Sequence, residues 1–315
     1  MKVSFRKAAI VLSPSFQRKL EPCYFRMLCE TVWDVRQYLQ NSLSTLFKET
    51  AMSTTVSLPN PIKELFKQDK IALGMNVRLA RSGDIAGIAK STGHDFIFID
   101  MQHSLYNVET VGHIALAAIG VGIAPLARVR SCDDPQTQVL LDNGVMGIVF
   151  PDIGTADQAR RAVARAKYPP VGTRSVSGSY PIFNYRPMNI AQAVPALQDN
   201  TLVACMIETQ EGLDNIDAIC AVDGVDVIHV GSNDLLTAMG KPGTFGSAEH
   251  VAALDKVIAA CKKHGKIPGV GGDRNLARQV EFIRKGMRFI TTNSEIAFIL
   301  AEGSRVTGAL RTALA

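Results

Sequence analysis

The stretch MIETQEGLDNIDAICAVDGVDVIHVGSNDL, residues 206–235, contains two apolar, strand-like runs separated by one helix-sized segment. Glu208 ends the first run, TLVACMIE, and Asp234 follows the end of the second, VDVIHVGSND. In a barrel of parallel strands, successive strands are neighbours and their C-terminal ends open on one face. The two carboxylates are therefore expected to converge. Paired carboxylates with space around them suit a hard divalent cation such as Mg²⁺ or Mn²⁺.

The same alternation extends outward from this stretch over most of the chain. Short apolar runs such as IALGMNV (71–77) and DFIFID (95–100) are each followed by a helix-length segment. Most runs lack polar alternation, as expected when both faces of a parallel strand are buried. Eight such units predict an α/β fold of the (β/α)8 TIM barrel type. A doubly wound sheet is the alternative, but the only suitable glycine cluster, GVGGDRN (269–275), lacks the GxGxxG spacing.

Composition and charge exclude several classes of partner. The chain has 315 residues, 47% of them hydrophobic, which is enough for one large core. No apolar run reaches the roughly 18–20 residues needed to span a bilayer, so no membrane partner is expected. Residues 1–51 carry eight Lys or Arg and four Asp or Glu, which leaves the remainder nearly neutral and argues against nucleic acid. Six scattered cysteines without a CxxC indicate a reducing, cytoplasmic location.

Residues 1–51 differ from the rest of the chain. The segment 1–20 is basic and has no acidic residue, a composition that overlaps with organelle transit peptides. A helix is expected near 25–48. Met52 is a plausible start of the folded region, so we interpret 1–51 as an extension foreign to the fold and 52–315 as the barrel domain. The transit-peptide interpretation stays open as the alternative.

Polar residues stand where the predicted strands end, which is where active sites lie in this architecture. They are Asp100, Gln102 and His103 after the second strand, Arg128 and Arg130 near the end of the third, Glu208 and Asp234. Each has a structural alternative: an ion pair for Glu208 and a helix cap for Asp234. His229, inside a strand, is expected to be a hydrogen-bonded core residue. No lysine lies within the strands except Lys266 at an entry end, which disfavours Schiff-base chemistry.

Six motifs in order resemble one enzyme family. They are DFIFIDMQHS, PLARV, LLDNGVMGIVFPDI, ARRAVARAKYPPVGTRSVSG, CMIETQEGLDNIDAI and HVGSNDL. They resemble the metal-dependent class II pyruvate aldolases of the 4-hydroxy-2-oxoheptanedioate aldolase (HpcH/HpaI) type, within the phosphoenolpyruvate/pyruvate barrel superfamily. The resemblance covers roughly residues 60–315 and implies a lyase. Its reaction would be reversible retro-aldol cleavage of a 4-hydroxy-2-oxo acid to pyruvate and an aldehyde.

The resemblance also implies residue roles and a cofactor, Mg²⁺, Mn²⁺ or Co²⁺. Glu208 and Asp234 would bind the metal, and backbone amides around Gly231, Ser232 and Asn233 would hold the substrate carboxylate. The arginine of PLARV, Arg128, would stabilise the enolate oxygen, and His103, oriented by Asp100, would transfer protons. The alignment favours Arg128 over Arg130 because it keeps the family's spacing to Asp142.

The resemblance implies a homo-oligomer as well, a hexamer built as a trimer of dimers. Asp142 matches a catalytic aspartate that reaches a neighbouring subunit's site, and the last helix, 294–313, would be exchanged between subunits. Gln102, beside the substrate, departs from the family pattern because it replaces a glutamate. Two alternatives therefore remain open: an oxaloacetate decarboxylase or macrophomate synthase-like enzyme using the same enolate, and a catalytically silent scaffold.

Overall fold

A computed structural model describes residues 58–178 and 180–315, and in this part of the chain eight parallel strands close into one barrel. Each strand pairs with the next along the chain, and β8 pairs with β1. The strands are β1 (Ala72–Val77), β2 (Phe96–Asp100), β3 (Ala124–Arg128), β4 (Gly147–Phe150), β5 (Leu202–Ile207), β6 (Val227–Gly231), β7 (Ile267–Gly271) and β8 (Phe289–Ser294). The predicted (β/α)8 barrel is confirmed.

Helices surround the barrel and connect its strands. Within the described residues they are α1 (Pro61–Lys67), α2 (Asp84–Ser91), α3 (Val108–Val121), α4 (Gln136–Asp142), α5 (Ala156–Ala166), α6 (Ile190–Asn200), α7 (Gln210–Asp214), α8 (Ile216–Cys220), α9 (Ser232–Ala238), α10 (Ala248–His264), α11 (Leu276–Lys285) and α12 (Glu295–Leu314). A 3₁₀ turn, Pro181–Phe183, lies between α5 and α6. None of these helices is long and apolar enough to cross a membrane.

One segment predicted as a single helix forms two short helices instead. The helix-sized segment between the two strand-like runs of residues 206–235 was expected to form a single helix, but α7 and α8 are separated at Asn215. The side chain of Asn215 donates to the carbonyl of Gly154 at 2.8 Å, which ties this point to the loop after β4. Thr209 caps α7 by accepting from the amide of Gly212. The local hydrogen bonds thus favour two short helices over one straight helix.

The barrel interior is apolar at its N-terminal end and polar at its C-terminal end. Phe96 and Phe289 stack with ring centroids 4.4 Å apart and belong to a cluster of buried side chains inside the barrel. Ile62 of α1 is fully buried in the same cluster and covers this end. The side chain of Asn60 anchors α1 by donating to the carbonyls of Met146 (3.1 Å) and Asn200 (2.8 Å). The open, polar end is therefore left for a site.

The predictions made for residues 1–51, an extension with a helix near 25–48, fall on residues outside the described part of the chain. The same holds for the proposed domain start at Met52.

Candidate active site

A cavity of about 250 Å³ opens where the barrel strands end. Eight of the ten predicted site residues line it: Asp100, His103, Arg128, Glu208, Gly231, Ser232, Asn233 and Asp234. They come from β2, β3, β5 and β6 and from the segments that follow these strands. The register of the parallel barrel brings residues distant in sequence onto one face.

Asp100 and Arg128 form a buried ion pair on the floor of this cavity. The arginine donates from Nε to Oδ1 at 3.1 Å and from Nη2 to Oδ2 at 2.7 Å. Burial alone would raise the pKa of Asp100, but the hydrogen bonds and charge of Arg128 outweigh it and hold this pKa below its usual value. The guanidinium is thereby fixed in one orientation by a bidentate contact.

Asp100 orients His103 by a different route from the predicted one. Its Oδ1 accepts the backbone N–H groups of Gln102 and His103, both at 3.1 Å, and no hydrogen bond joins it to the imidazole. Both carboxylate oxygens accept from Arg128 instead, so the carboxylate is turned toward the guanidinium. The imidazole of His103 is exposed and lines the cavity. The carboxylate therefore positions the loop that carries His103.

Glu208 is a buried carboxylate for which the described residues provide no ion-pair partner. It directly follows β5, is 3% exposed, and accepts the N–H of Asp152 at 3.1 Å. In the part of the chain that the structure describes, no Lys, Arg or His nitrogen lies within 4.0 Å of it. Burial raises the pKa of Glu208 to about 7. The ion pair considered as its structural alternative is therefore absent among these residues.

Gly231 makes room for the Glu208 side chain. A Cβ at position 231 would stand 2.4 Å from Oε1 of Glu208, far inside any allowed contact. The close approach brings the end of β6 against the carboxylate. Only glycine at 231 leaves Glu208 in its place.

Asp234 lies in the first turn of α9, which begins earlier than predicted. The structural alternative considered for Asp234 was a cap of a helix beginning near Leu235, but the helix starts at Ser232 and has Gly231 at its N-cap. Asp234 is exposed and lines the cavity together with Asn233. Ser232 is fully buried, and its hydroxyl is hydrogen-bonded to Nε2 of His250 at 3.0 Å. Only the backbone of Ser232 is left for a ligand.

The donor set fits a divalent cation held by few protein ligands. Glu208 and Asp234 line the same cavity, and the negative charge of Asp234 contributes to the raised pKa of Glu208. No cluster of three or more His, Cys, Asp or Glu side chains arranged for a metal occurs in the described residues. Carboxylate oxygens suit Mg²⁺ or Mn²⁺, and two of them leave coordination positions for water and substrate.

Two predicted site residues lie outside the cavity lining. Gln102 donates from Nε2 to Oδ2 of Asp152 at 3.2 Å, and its Oε1 is buried without a partner. Asp142 ends α4 and pairs with Arg174, with Oδ1 2.7 Å from Nη2. The role predicted for Asp142 belongs to a neighbouring subunit's site, so it stays a prediction for the oligomer.

Several cavity residues were missed by sequence reasoning. Arg78 directly follows β1, and Arg274 lies in the loop after β7. Their position in the sequence could have identified them, since both follow shortly after the end of a strand. Asp152, after β4, supports Glu208 through its amide.

His229 corrects a prediction, because it was expected to be a hydrogen-bonded core residue. It lines the cavity, and its Nδ1 is buried without a hydrogen-bond partner. Burial, followed by the charge of Arg128, lowers the pKa of His229 to about 3. Its imidazole is therefore neutral near pH 7.

Comparison with known proteins agrees with this architecture. A model of the HpcH/HpaI aldolase/citrate lyase family matches residues 73–299. The 4-hydroxy-4-methyl-2-oxoglutarate aldolase tasA of Hapsidospora irregularis is 36% identical over 237 residues, which are 74% of this chain and 87% of that protein. The aldolase of the same description, cghB, of Chaetomium globosum is 40% identical over 208 residues, 65% of this chain and 77% of that protein.

A solved structure gives the same result. The crystal structure of an HpcH/HpaI aldolase from Desulfitobacterium hafniense aligns with a TM-score of 0.76 at 26% identity, covering 79% of this chain and 96% of that one. The match extends over nearly the whole of that barrel, and the family model spans all eight strands except the first residue of β1. The chain is therefore a carbon–carbon lyase that belongs to the HpcH/HpaI aldolase/citrate lyase family.

Proposed function

We propose that the protein is a divalent-metal-dependent aldolase that reversibly cleaves a 4-hydroxy-2-oxo acid to pyruvate and a second carbonyl compound. The names of the relatives tasA and cghB point to 4-hydroxy-4-methyl-2-oxoglutarate, for which both products are pyruvate. The observation that carries the proposal is the buried carboxylate of Glu208, without an ion pair, in one cavity with Asp234 and the Asp100–Arg128 pair.

Glu208 and Asp234 would hold the cation. When bound, it would supply Lewis-acid polarisation of the 2-oxo group and charge neutralisation of the substrate carboxylate. The first turn of α9 would add backbone N–H groups at Ser232 and Asn233, which have no acceptor four residues earlier in the helix. These amides could donate to the substrate carboxylate, because the free N–H groups at a helix N-terminus bind anions.

Arg128 would stabilise the charge that develops during cleavage. The C3–C4 bond breaks, and its electron pair moves toward the 2-oxo group to form an enolate of pyruvate. Arg128 has unused donors at Nη1 besides the two nitrogens that contact Asp100, apart from a weak 3.9 Å contact to Sδ of Met206. Because the guanidinium is buried and already oriented, it needs little reorganisation to meet the enolate oxygen.

His103 would move the proton that cleavage requires. The C4 hydroxyl gives its proton to His103 as C4 becomes the carbonyl carbon of the second product, and the enolate takes a proton from water at C3 to give pyruvate. The exposed imidazole of His103 at the cavity edge can exchange protons with solvent between turnovers. The amide hydrogen bond to Asp100 keeps the His103 backbone at this edge.

The test is a cleavage assay with chelated and metal-restored protein. 4-Hydroxy-4-methyl-2-oxoglutarate should be cleaved with added Mg²⁺, Mn²⁺ or Co²⁺ and should not be cleaved with excess chelator. Oxaloacetate, assayed in parallel, distinguishes a decarboxylase that uses the same enolate. A rate on oxaloacetate with none on any 4-hydroxy-2-oxo acid would overturn the aldolase proposal.

A second assay tests the class of chemistry. No lysine lies among the described residues that line the cavity. Burial lowers the pKa of Lys167 to about 8, but this lysine does not line the cavity. Its amine donates to the carbonyls of Gln198 and Thr201. Borohydride treatment with pyruvate should therefore leave the protein unmodified, and a lysine adduct would refute the metal-dependent mechanism.

A further inference from the structure

The candidate active site contains a guanidinium that none of the proposed steps uses. Arg78 follows the last residue of β1 and lines the cavity with a side chain that is 40% exposed. Its Nε lies 3.4 Å from Oδ2 of Asp100 but makes no hydrogen bond and is buried without a partner. Nη2 has only a long contact, 3.5 Å, to the carbonyl of His103. Arg78 therefore offers unused donors to the cavity.

Asp100 is shared between two guanidinium groups, because it is hydrogen-bonded to Arg128 and its Oδ2 also lies 3.4 Å from Nε of Arg78. The carboxylate accepts two hydrogen bonds from Arg128 and one each from the amides of Gln102 and His103. One carboxylate charge therefore faces two guanidinium charges, those of Arg128 and Arg78. One positive charge of this group is left for another anion.

The loop that carries Arg78 is held in place by the start of the last helix. Oε1 of the buried Glu295 accepts the backbone N–H groups of Arg78 and Leu79, both at 2.6 Å, and of Ala80 at 3.2 Å. Nη1 of Arg81 donates back to the carbonyls of the same three residues. Such a loop loses little conformational entropy when Arg78 engages a ligand.

Arg274 adds a second unused positive charge to the same cavity. It is exposed, and no Asp or Glu oxygen in the described part of the chain lies within 4.0 Å of its guanidinium. The lining then contains three carboxylates and three guanidinium groups: Asp100, Glu208, Asp234, Arg78, Arg128 and Arg274. These charges cancel, so a divalent cation would give the cavity two positive charges. A dianionic substrate balances them and a monoanion does not.

We propose that Arg78, assisted by Arg274, binds the second carboxylate of a 2-oxo diacid, the one attached to C4, and thereby selects diacids over monoacids. This inference rests on the proposed function, because it assigns the far end of the same substrate. Arg78 is a specificity residue in this account, and the bond-breaking step is left to the groups at C2.

Binding of uncleavable acids tests the inference directly. 2-Oxoglutarate and 2-oxopentanoate have the same chain length, lack a C4 hydroxyl and differ in the second carboxylate. Calorimetry with Mg²⁺ present should show a preference of about 10–100-fold for the diacid, the range expected for hydrogen bonds to charged groups. Arg78→Met should bring this preference close to unity. Arg130→Met, which removes an arginine outside the cavity, should keep it.

Cleavage kinetics provide the second readout. The ratio of kcat/KM for 4-hydroxy-4-methyl-2-oxoglutarate to that for 4-hydroxy-4-methyl-2-oxopentanoate should fall about 10–100-fold in Arg78→Met and less in Arg274→Met. Arg78→Gln, which keeps a polar side chain, serves if the Met variant unfolds. An unchanged ratio and an unchanged binding preference would overturn the inference.

The two proposals fail in distinguishable ways. If the wild-type protein catalyses no exchange of the pyruvate methyl protons with added metal, the proposed function fails. The diacid preference in binding, and its loss in Arg78→Met, then still decide on the carboxylate subsite. If exchange and cleavage occur but the wild-type protein binds both acids equally, the subsite is refuted and the aldolase remains.

Discussion

Asp100 and Arg128 are register partners on neighbouring strands, β2 and β3, and their side chains form a bidentate ion pair inside the barrel. Both are buried, at 2% and 8% exposure. Removing one partner of a buried pair leaves an uncompensated charge, which costs more than the pair itself contributes. The cavity floor should therefore be sensitive to substitution of either residue.

Asp100→Asn should damage both stability and chemistry. The amide cannot accept two hydrogen bonds from the guanidinium, so Arg128 is left buried with its charge only partly compensated. We expect a loss of about 3–5 kcal/mol in the free energy of unfolding, measured with denaturant. Exchange of the pyruvate methyl protons, followed by NMR in D₂O, should fall as Arg128 loses its fixed orientation.

Asp133→Asn is the matched control, because Asp133 pairs with Arg161 on the surface. An exposed pair of this kind contributes about 0–1 kcal/mol. If Asp100→Asn loses no more stability than this control, the buried pair does not hold the site together.

Arg128 and Arg130 should differ in their effect on enolate formation. Arg128 lines the cavity, whereas Arg130 lies beyond the end of β3 and its guanidinium donates to Gln136 at 2.9 Å. Arg128→Ala and Arg128→Lys should both abolish pyruvate proton exchange, since an ammonium cannot reproduce the guanidinium fork. Arg130→Ala should retain it. The reverse pattern would exchange the roles of the two arginines.

Metal affinity should depend on the protonation of Glu208. Its pKa is raised from 4.5 to about 7, so the folded protein without metal holds this proton between those values. Its contribution to stability is therefore present below about 4.5 and is lost as the pH rises through about 7. A cation must displace the proton, so affinity for Mn²⁺ should rise with pH up to about 7 and binding at pH 6 should release a proton.

Calorimetry in buffers of different ionisation enthalpy measures this proton release. Glu208→Gln should bind Mn²⁺ weakly at every pH and release no proton. Glu249→Gln, which changes an exposed carboxylate that pairs with Lys241 and does not line the cavity, should behave as wild type in this titration. Affinity in the wild-type protein that does not vary between pH 5 and 7 would contradict the assignment of Glu208 as a ligand.

His103→Ala should slow cleavage more than enolate formation. Loss of a positioned acid–base group costs about 10²–10⁴-fold in rate. Proton exchange of pyruvate and its binding should persist, because Arg128, Glu208 and Asp234 are untouched. His113→Ala, on the exposed face of α3, is the control and should change neither rate. Equal collapse of pyruvate binding would assign His103 to the cation site.

Positions at strand ends were predictable from the sequence, and side-chain partners were not. Glu208 and Asp234 were identified because each follows an apolar run, and both line the cavity. The same reasoning placed Asp100 beside His103, yet Asp100 contacts the backbone of His103 and the side chain of Arg128. The partner of a carboxylate depends on which residue of a neighbouring strand lies beside it in the sheet register. The periodicity of the sequence does not reveal that register.

His229 and Arg78 line the cavity, but the sequence did not identify either as a site residue. His229 lies in an apolar run, and only the barrel's curvature shows that its imidazole faces the cavity. Arg78 directly follows a strand, as several of the predicted site residues do. That it has unused donors can be recognised only once the hydrogen-bond partners of Asp100 are known.

The sequence by itself determined the barrel, the order of its strands and the face on which a site must lie, because strand and helix periods are local properties of the chain. Tertiary structure alone decided that Asp100 pairs with Arg128 and not with the imidazole of His103, that Glu208 has no ion-pair partner among the described residues, and that Arg78 has unused donors. These are properties of contacts between strands, and they depend on register and burial, which exist only once the barrel has closed.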